Sequence, residues 1–147
     1  MDEKQMHKIS IATSIIYRKT QIWKTEQSVD LGLSAAQIPV VIIVCREKNI
    51  SQNELGEMLG MDKSTIAKIV VKLEQDGYLV RTINAKDKRA FNLIPTEKSL
   101  DSYPQLIKIG DVWNNCLTNG MTEEEIMTLE RLLVKAAQNV TTFTRER

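Results

Sequence analysis

Residues 51–96, SQNELGEMLGMDKSTIAKIVVKLEQDGYLVRTINAKDKRAFNLIPT, decide the fold. The stretch opens on Ser51-Gln-Asn-Glu54, a pattern in which the Ser hydroxyl and the Glu carboxylate satisfy each other's free N–H groups at a helix start. Leu55, Met58 and Leu59 supply the buried face of the short helix that follows, and Gly60 is its natural stop. Asp62 caps a second helix. There Ile66, Ile69, Val70 and Leu73 recur at i, i+3, i+4 and i+7, the spacing of one buried stripe. The opposite face carries Lys63, Ser64, Thr65, Lys68 and Lys72, and Gly77 ends the helix. Two runs rich in β-formers, 79–84 and 90–94, flank a polar tip of Lys86, Asp87, Lys88 and Arg89. Pro95 stops the second strand and Thr96 caps the next helix. Two short helices followed by a hairpin make a winged helix-turn-helix: a helix sized for the DNA major groove beside a basic ribbon.

The flanks are helical. Residues 3–25 place Ile9, Ala12, Ile15, Ile16, Ile22 and Trp23 on a broad stripe, and 27–32 is a polar loop ending in glycine. A helix is expected from Ser34 to about residue 47. Ser34 and Gln37 fit a capping box, with Leu33 and Ile38 as its hydrophobic staple. Apolar nearly all round, it belongs at the centre of the core. Pro39, just past the first turn, is expected to cost one backbone bond and bend it. Downstream, 97–117 carries Leu100, Leu106, Ile107, Ile109, Trp113 and Cys116, and Asn119-Gly120 breaks it. Thr122 to Glu125 is a third capping box, stapled by Met121 and Ile126. It opens a helix whose apolar stripe, from Ile126 to Phe143, runs nearly to the end of the chain. A terminal helix that stays apolar to its tip packs on something.

Composition narrows the class. A chain of 147 residues buries roughly two-thirds of its unfolded surface and needs neither disulfides nor metal to fold. No apolar run approaches the ~20 residues of a membrane span. The N-terminus, MDEKQMHKIS, lacks an apolar signal region, so the cytoplasm is expected. The net charge of +1 hides an asymmetry. Residues 62–89 hold seven basic and four acidic side chains, a net of +3, which leaves −2 for the rest. Cys45, Cys116 and His7 are too few for a four-ligand zinc site, and both cysteines are expected to be reduced core residues. No nucleophile–base pairing and no Gly-rich phosphate loop occurs, so neither an enzyme nor a cofactor is expected.

The candidate DNA contacts are therefore Ser51 and Gln52, where free N–H groups at a helix start suit a phosphate; Lys63, Ser64, Thr65, Lys68 and Lys72 on the second helix; and Lys86, Asp87, Lys88 and Arg89 at the hairpin tip. Two other readings exist. The basic face could be merely solvated, with Asp87 and Arg89 a surface ion pair. Alternatively, the module could bind protein instead of DNA, for which Val71 on the basic face is the one apolar opening.

The runs LGLSAAQIPVVIIV, SQNELGEMLGMDKSTIAKIVVKLEQDGYLVR, DKRAFNLIPT and GMTEEEIMTLERLLVKAAQNV resemble the MarR family of bacterial transcriptional regulators over essentially the whole chain. The most specific part is the wing signature, Asp87-Lys-Arg89 through Leu93-Ile-Pro-Thr96. The resemblance implies that Arg89 reaches DNA from the wing, that Asp87 orients it, and that residues 62–76 form the recognition helix. Two departures from the family pattern stand out. Asn84 and Lys86 stand where many members carry an acidic residue and an Arg, and Ser99 replaces a glycine.

The implied fold is mainly α with a small β-hairpin wing. It is a single domain over 1–147, with a winged helix-turn-helix at about 34–96 and dimerisation helices at about 3–25 and 97–145. The implied partner is double-stranded DNA. A homodimer would read a pseudo-palindromic operator with two recognition helices about one turn, ~34 Å, apart. It would act as a repressor by excluding polymerase. A small aromatic or anionic effector could release it, bound near Tyr17, Arg18, Trp23, Tyr103 and Trp113. A cysteine peroxide sensor is disfavoured, since no cysteine precedes Cys45.

Overall fold

The computed structural model describes residues 1–146. In chain order it contains α1 (Glu3–Gln27), a 3-10 turn (Val29–Leu31), α2 (Ile38–Glu47), β1 (Ile50–Ser51), α3 (Gln52–Met58), α4 (Lys63–Gln75), β2 (Leu79–Ile83), β3 (Phe91–Pro95), α5 (Glu97–Leu117) and α6 (Glu123–Arg145). The chain is mainly helical, as its periodicity predicts. It divides into two compact units, 1–111 and 112–147.

The sheet is larger than the expected hairpin. Its strand order is β1-β3-β2, all antiparallel, with Ile50 opposite Leu93 and Ser51 opposite Asn92. Ser51 takes the extended backbone (φ −69°, ψ 146°) that a helix N-cap requires. That same geometry lets it pair with a strand, so one residue both closes the sheet and starts α3. A two-residue strand is too short to show alternation in sequence.

Helix α2 begins at Ile38, not Ser34. Residues 34–37 close as a turn, the Gln37 N–H donating to the Ser34 carbonyl at 3.0 Å. The Gln37 side chain accepts from the Ser34 N–H at 2.9 Å, half of the expected box. This later start puts Pro39 inside the first turn, where an N–H has no intrahelical partner anyway. The expected cost of Pro39 is thereby removed. Val40, Val41 and Val44 then project into the core with no more than 1% exposure.

Around them close Leu55 of α3, Ile66, Val70 and Leu73 of α4, Tyr78, Leu79 and Leu93 of the sheet, and Leu106 of α5. Each such aliphatic side chain contributes roughly 1.5–3 kcal/mol on leaving water, which is what fixes α4 against the module. Met58, expected inside, is 59% exposed. The inward face of α3 is centred on Leu55, Gly56 and Leu59, and Met58 falls to one side of it.

Polar ties hold the segment after α1. The buried Ser28 hydroxyl donates to the Leu33 carbonyl at 2.7 Å, the Ala35 N–H donates to the Thr25 hydroxyl at 2.9 Å, and the Tyr78 hydroxyl donates to the Leu31 carbonyl. At the start of α5, Thr96 and Ser99 form a reciprocal box. The Thr96 N–H donates to Ser99 Oγ at 2.9 Å and the Ser99 N–H to Thr96 Oγ1 at 3.3 Å. The position where the family pattern has glycine thus carries a buried capping hydroxyl.

In the 112–147 unit, α6 has its full capping box: Thr122 Oγ1 accepts from the Glu125 N–H, and Glu125 accepts from the Thr122 N–H at 2.8 Å. None of its described side chains is buried. Leu132, Leu133, Val134, Val140 and Phe143 are all exposed, as are Ile9, Ile15, Ile16 and Ile22 of α1. Cys45 is buried as expected, and its thiol is pushed up by that burial. Cys116, expected in the core, is exposed.

Candidate nucleic-acid interface

The turn between α3 and α4 is set by two glycines. Gly60 adopts φ +63°, a conformation that side chains disfavour. Gly56 is buried so close to α4 that an added Cβ would lie 3.2 Å from Ile66 Cγ2. Asp62 then starts α4, its Oδ1 accepting from the Thr65 N–H at 2.7 Å and the Ser64 hydroxyl at 3.0 Å. The Thr65 N–H foremost, then the Thr65 and Ser64 hydroxyls, hold the Asp62 carboxyl below its ordinary value.

With Ile66, Val70 and Leu73 turned inward, Lys63, Ser64, Thr65, Lys68, Val71 and Lys72 are all exposed on the other side. Lys72 lies 3.3 Å from Asp76 Oδ1, a solvated i,i+4 pair worth little and easily exchanged for a phosphate. Ser64 spends its hydroxyl hydrogen on Asp62, and its oxygen still has a lone pair to offer.

Ser51 and Gln52 are less available than expected. Ser51 Oγ is the α3 cap, accepting from the Glu54 N–H at 3.1 Å. Gln52 Oε1 is buried without a hydrogen-bond partner instead of facing outward.

The wing tip is ordered by its own side chains. Asn84 Nδ2 donates to Asn92 Oδ1 at 2.8 Å, and Asn84 Oδ1 accepts from the N–H groups of Lys86 at 2.8 Å and Asp87 at 3.2 Å. Asp87 Oδ1 accepts from the Arg89 N–H at 3.0 Å and lies 3.6 Å from Arg89 Nε. The Arg89 side chain is 95% exposed, and Lys86 and Lys88 are exposed beside it. Asn84, a departure from the family pattern, is therefore the residue that bends the tip.

Sequence reading missed the root of the wing. Glu74, on the last turn of α4, faces Arg81 on β2. Its Oε1 accepts from Arg81 Nε at 3.0 Å and lies 2.9 Å from Nη2, while Oε2 accepts from the Arg81 N–H at 3.0 Å. The Arg81 guanidinium also stacks 4.8 Å from the centre of the Phe91 ring on β3. Hydrogen bonds from Arg81 hold the Glu74 carboxyl below its ordinary value. The signal was present in the short Asp76-Gly77 link, which folds β2 back along the helix end.

The effector candidates separate. Trp23 and Tyr103 pack against the buried core, Tyr17 and Arg18 are exposed on α1, and Trp113 is half-buried in the 112–147 unit. Lys24, next to Trp23, is partly buried, and that burial lowers the pKa of its ammonium. Among the described residues no group of three or more His, Cys, Asp or Glu side chains could hold a metal ion, and no helix is long and apolar enough to cross a membrane.

A model of the MarR family matches residues 31–90. The chain is 31% identical over 111 residues to the HTH-type transcriptional regulator YybA of Bacillus subtilis, covering 76% of this chain and 74% of that one. Its structure is similar to that of a MarR transcriptional regulator from Methanosarcina mazei (TM-score 0.83, 28% identity, 93% of this chain and 99% of that one). It is equally similar to a MarR family regulator from Listeria monocytogenes complexed with 26mer DNA (TM-score 0.83, 27% identity, 89% and 87% of the two chains). All three relatives are named as transcriptional regulators. On its winged helix-turn-helix, its wing signature and these likenesses, the chain belongs to the MarR family of transcriptional regulators.

Proposed function

We propose that the chain is a cytoplasmic, sequence-specific repressor that binds a pseudo-palindromic operator as a homodimer and is released by a small aromatic or anionic effector. The observation that carries the DNA contact is the exposed cationic surface made by Lys63, Lys68 and Lys72 of α4 together with Lys86, Lys88 and Arg89 of the wing. Lysine and arginine in this arrangement bind phosphate oxygens, and the helix between them enters the major groove. The DNA-bound Listeria relative supports the same use of the module. Asp87 holds Arg89 in position at the tip, Ser64 and Thr65 stand at the start of the reading face, and Ser51 and Gln52 approach the backbone through main-chain N–H groups.

Two exposed apolar helices support the dimer. α1 and α6 each present a row of apolar side chains with none buried. A second copy would cover them and complete one MarR-type domain per protomer across residues 1–147. A two-fold dimer sets its two reading heads about one DNA turn apart and so favours an inverted repeat. Occupying such a site within a promoter excludes polymerase. An effector, whose candidate contacts within the 1–111 unit are Tyr17, Arg18, Trp23 and Tyr103, would act only through its differential affinity for the DNA-competent and incompetent states.

Selection of duplex DNA from a random library by the purified protein tests this reading. The expected result is an inverted repeat with half-sites about one turn apart. Arg89→Ala and Lys68→Ala should each weaken binding to it and reduce the salt slope by about 1, with the fold intact by circular dichroism. Unchanged affinity in the double variant would overturn the assigned contacts.

A further inference from the structure

Among the described residues, Val71 is the one large apolar side chain of α4 that is exposed, at 38%. Ala67 lies one turn before it and Gln75 one turn after. With Lys68 and Lys72 alongside, these residues line a shallow groove of about 370 Å³ on the outward face of the helix. An exposed valine has no advantage there within the chain. β-Branched residues are slightly unfavourable in helices, and Val71 stands outside the buried core to which Ile66, Val70 and Leu73 contribute. An apolar strip flanked by two ammonium groups fits a partner that is anionic at its edges and apolar at one point between them.

Duplex DNA has that chemistry. Phosphates line both sides of the major groove, and the one apolar group on its floor is the 5-methyl of thymine. An apolar protein partner would have to desolvate Lys68 and Lys72 without compensating their charge. We propose that Ala67 and Val71 form the receptor for a thymine 5-methyl group, which makes Val71 a specificity-determining residue of the half-site. The assignment rests on the DNA-binding reading above.

Deoxyuridine differs from thymidine by that methyl alone and keeps every hydrogen-bonding group. Each thymine of the selected operator is therefore replaced in turn by deoxyuridine, and affinity is measured by fluorescence anisotropy for the wild type and for Val71→Ala. One thymine per half-site should lose about threefold to tenfold in affinity on losing its methyl, the range expected when one carbon leaves an apolar contact. Val71→Ala should bind the thymine duplex more weakly by a similar factor, lose most of its sensitivity at that position, and melt like the wild type. Insensitivity of the wild type at every thymine overturns the assignment while leaving the DNA-binding reading intact. So does undiminished sensitivity in Val71→Ala. If folded protein enriches no duplex at all, the DNA-binding reading fails, the thymine assignment falls with it, and Val71 is left as a protein-docking residue.

Discussion

Replacing Glu74 by Gln tests whether the wing is held to α4 or merely follows it in sequence. The carboxylate receives three N–H groups of Arg81, the Nε at 3.0 Å, Nη2 at 2.9 Å and the backbone N–H at 3.0 Å. An amide has one oxygen for these donors, and its NH2 group must then face either the guanidinium or the strand. Hydrogen bonds to charged groups contribute about 1.5–3 kcal/mol. The two side chains are 29% and 33% exposed, so water replaces part of what is lost, and fully exposed pairs are worth less than about 1 kcal/mol. Between these limits Glu74→Gln should destabilise the fold by about 1–2 kcal/mol, read as a shift in the urea midpoint at constant slope.

The pH dependence gives a second readout with a fixed sign. Arg81 holds the folded-state Glu74 carboxyl below its ordinary value of 4.5. A depressed folded pKa means that the stabilisation is fully present above the unfolded value and is lost as pH falls through the folded one. The gap between wild type and Glu74→Gln should therefore be constant near neutrality and shrink below about pH 4.5. DNA affinity should fall because the wing tip is less fixed, yet the salt slope should stay unchanged, since no phosphate contact is removed. A variant as stable as the wild type at pH 7, or a gap that persists at pH 3, would refute the ion pair as an anchor.

The close approach at Gly56 makes a contrasting pair. Gly56→Val should cost about 1–3 kcal/mol by overpacking against Ile66. Gly56→Ala should come out near neutral in the same urea titration, because its mild crowding is offset by roughly 1 kcal/mol of helix propensity. Ser99→Ala removes the acceptor of the Thr96 N–H at the start of α5. It should lower stability by about 1 kcal/mol, measurable by thermal unfolding, and leave the salt slope of DNA binding untouched.

What could be read from sequence was what repeats or what has one local cause. Ile66, Ile69, Val70 and Leu73 declare their face by spacing alone, and Asp62 declares the start of α4 because an N-cap acts on residues within its own turn. The misreadings share the opposite property. β1 exists only because Leu93 and Asn92, some forty residues away, offer it partners. Met58 was assigned inward by a pattern too short to phase a seven-residue helix. Ser34 begins a turn instead of a helix because Pro39 has no bond to lose at the position where the structure puts it. At the reading head, the cations were visible one by one. The Glu74–Arg81 anchor and the Asn84–Asn92 bridge were harder to read, since the first needs β2 folded back along the end of α4 and the second needs the hairpin closed.

The near-neutral net charge, which seems at odds with a polyanionic partner, instead bounds how that partner is held. Mobile ions screen charges beyond about 8–10 Å at physiological salt. DNA lying on the proposed surface of α4 and the wing would therefore feel the local +3 of residues 62–89 and little of the −2 distributed over the rest. Exposed cations on that surface are Lys63, Lys68, Lys72, Lys86, Lys88 and Arg89. Even if every one met a phosphate, each head would release about five counterions, giving a slope of log affinity against log salt no steeper than about −5 per head. Asp62, Asp76 and Asp87, interspersed among them, should bring the measured value below that limit. Titrating the selected duplex against salt, with one half-site intact and the other scrambled, reads the slope for a single head. A slope well beyond −5 would mean that cations outside α4 and the wing reach the backbone, and the interface would extend past these two elements.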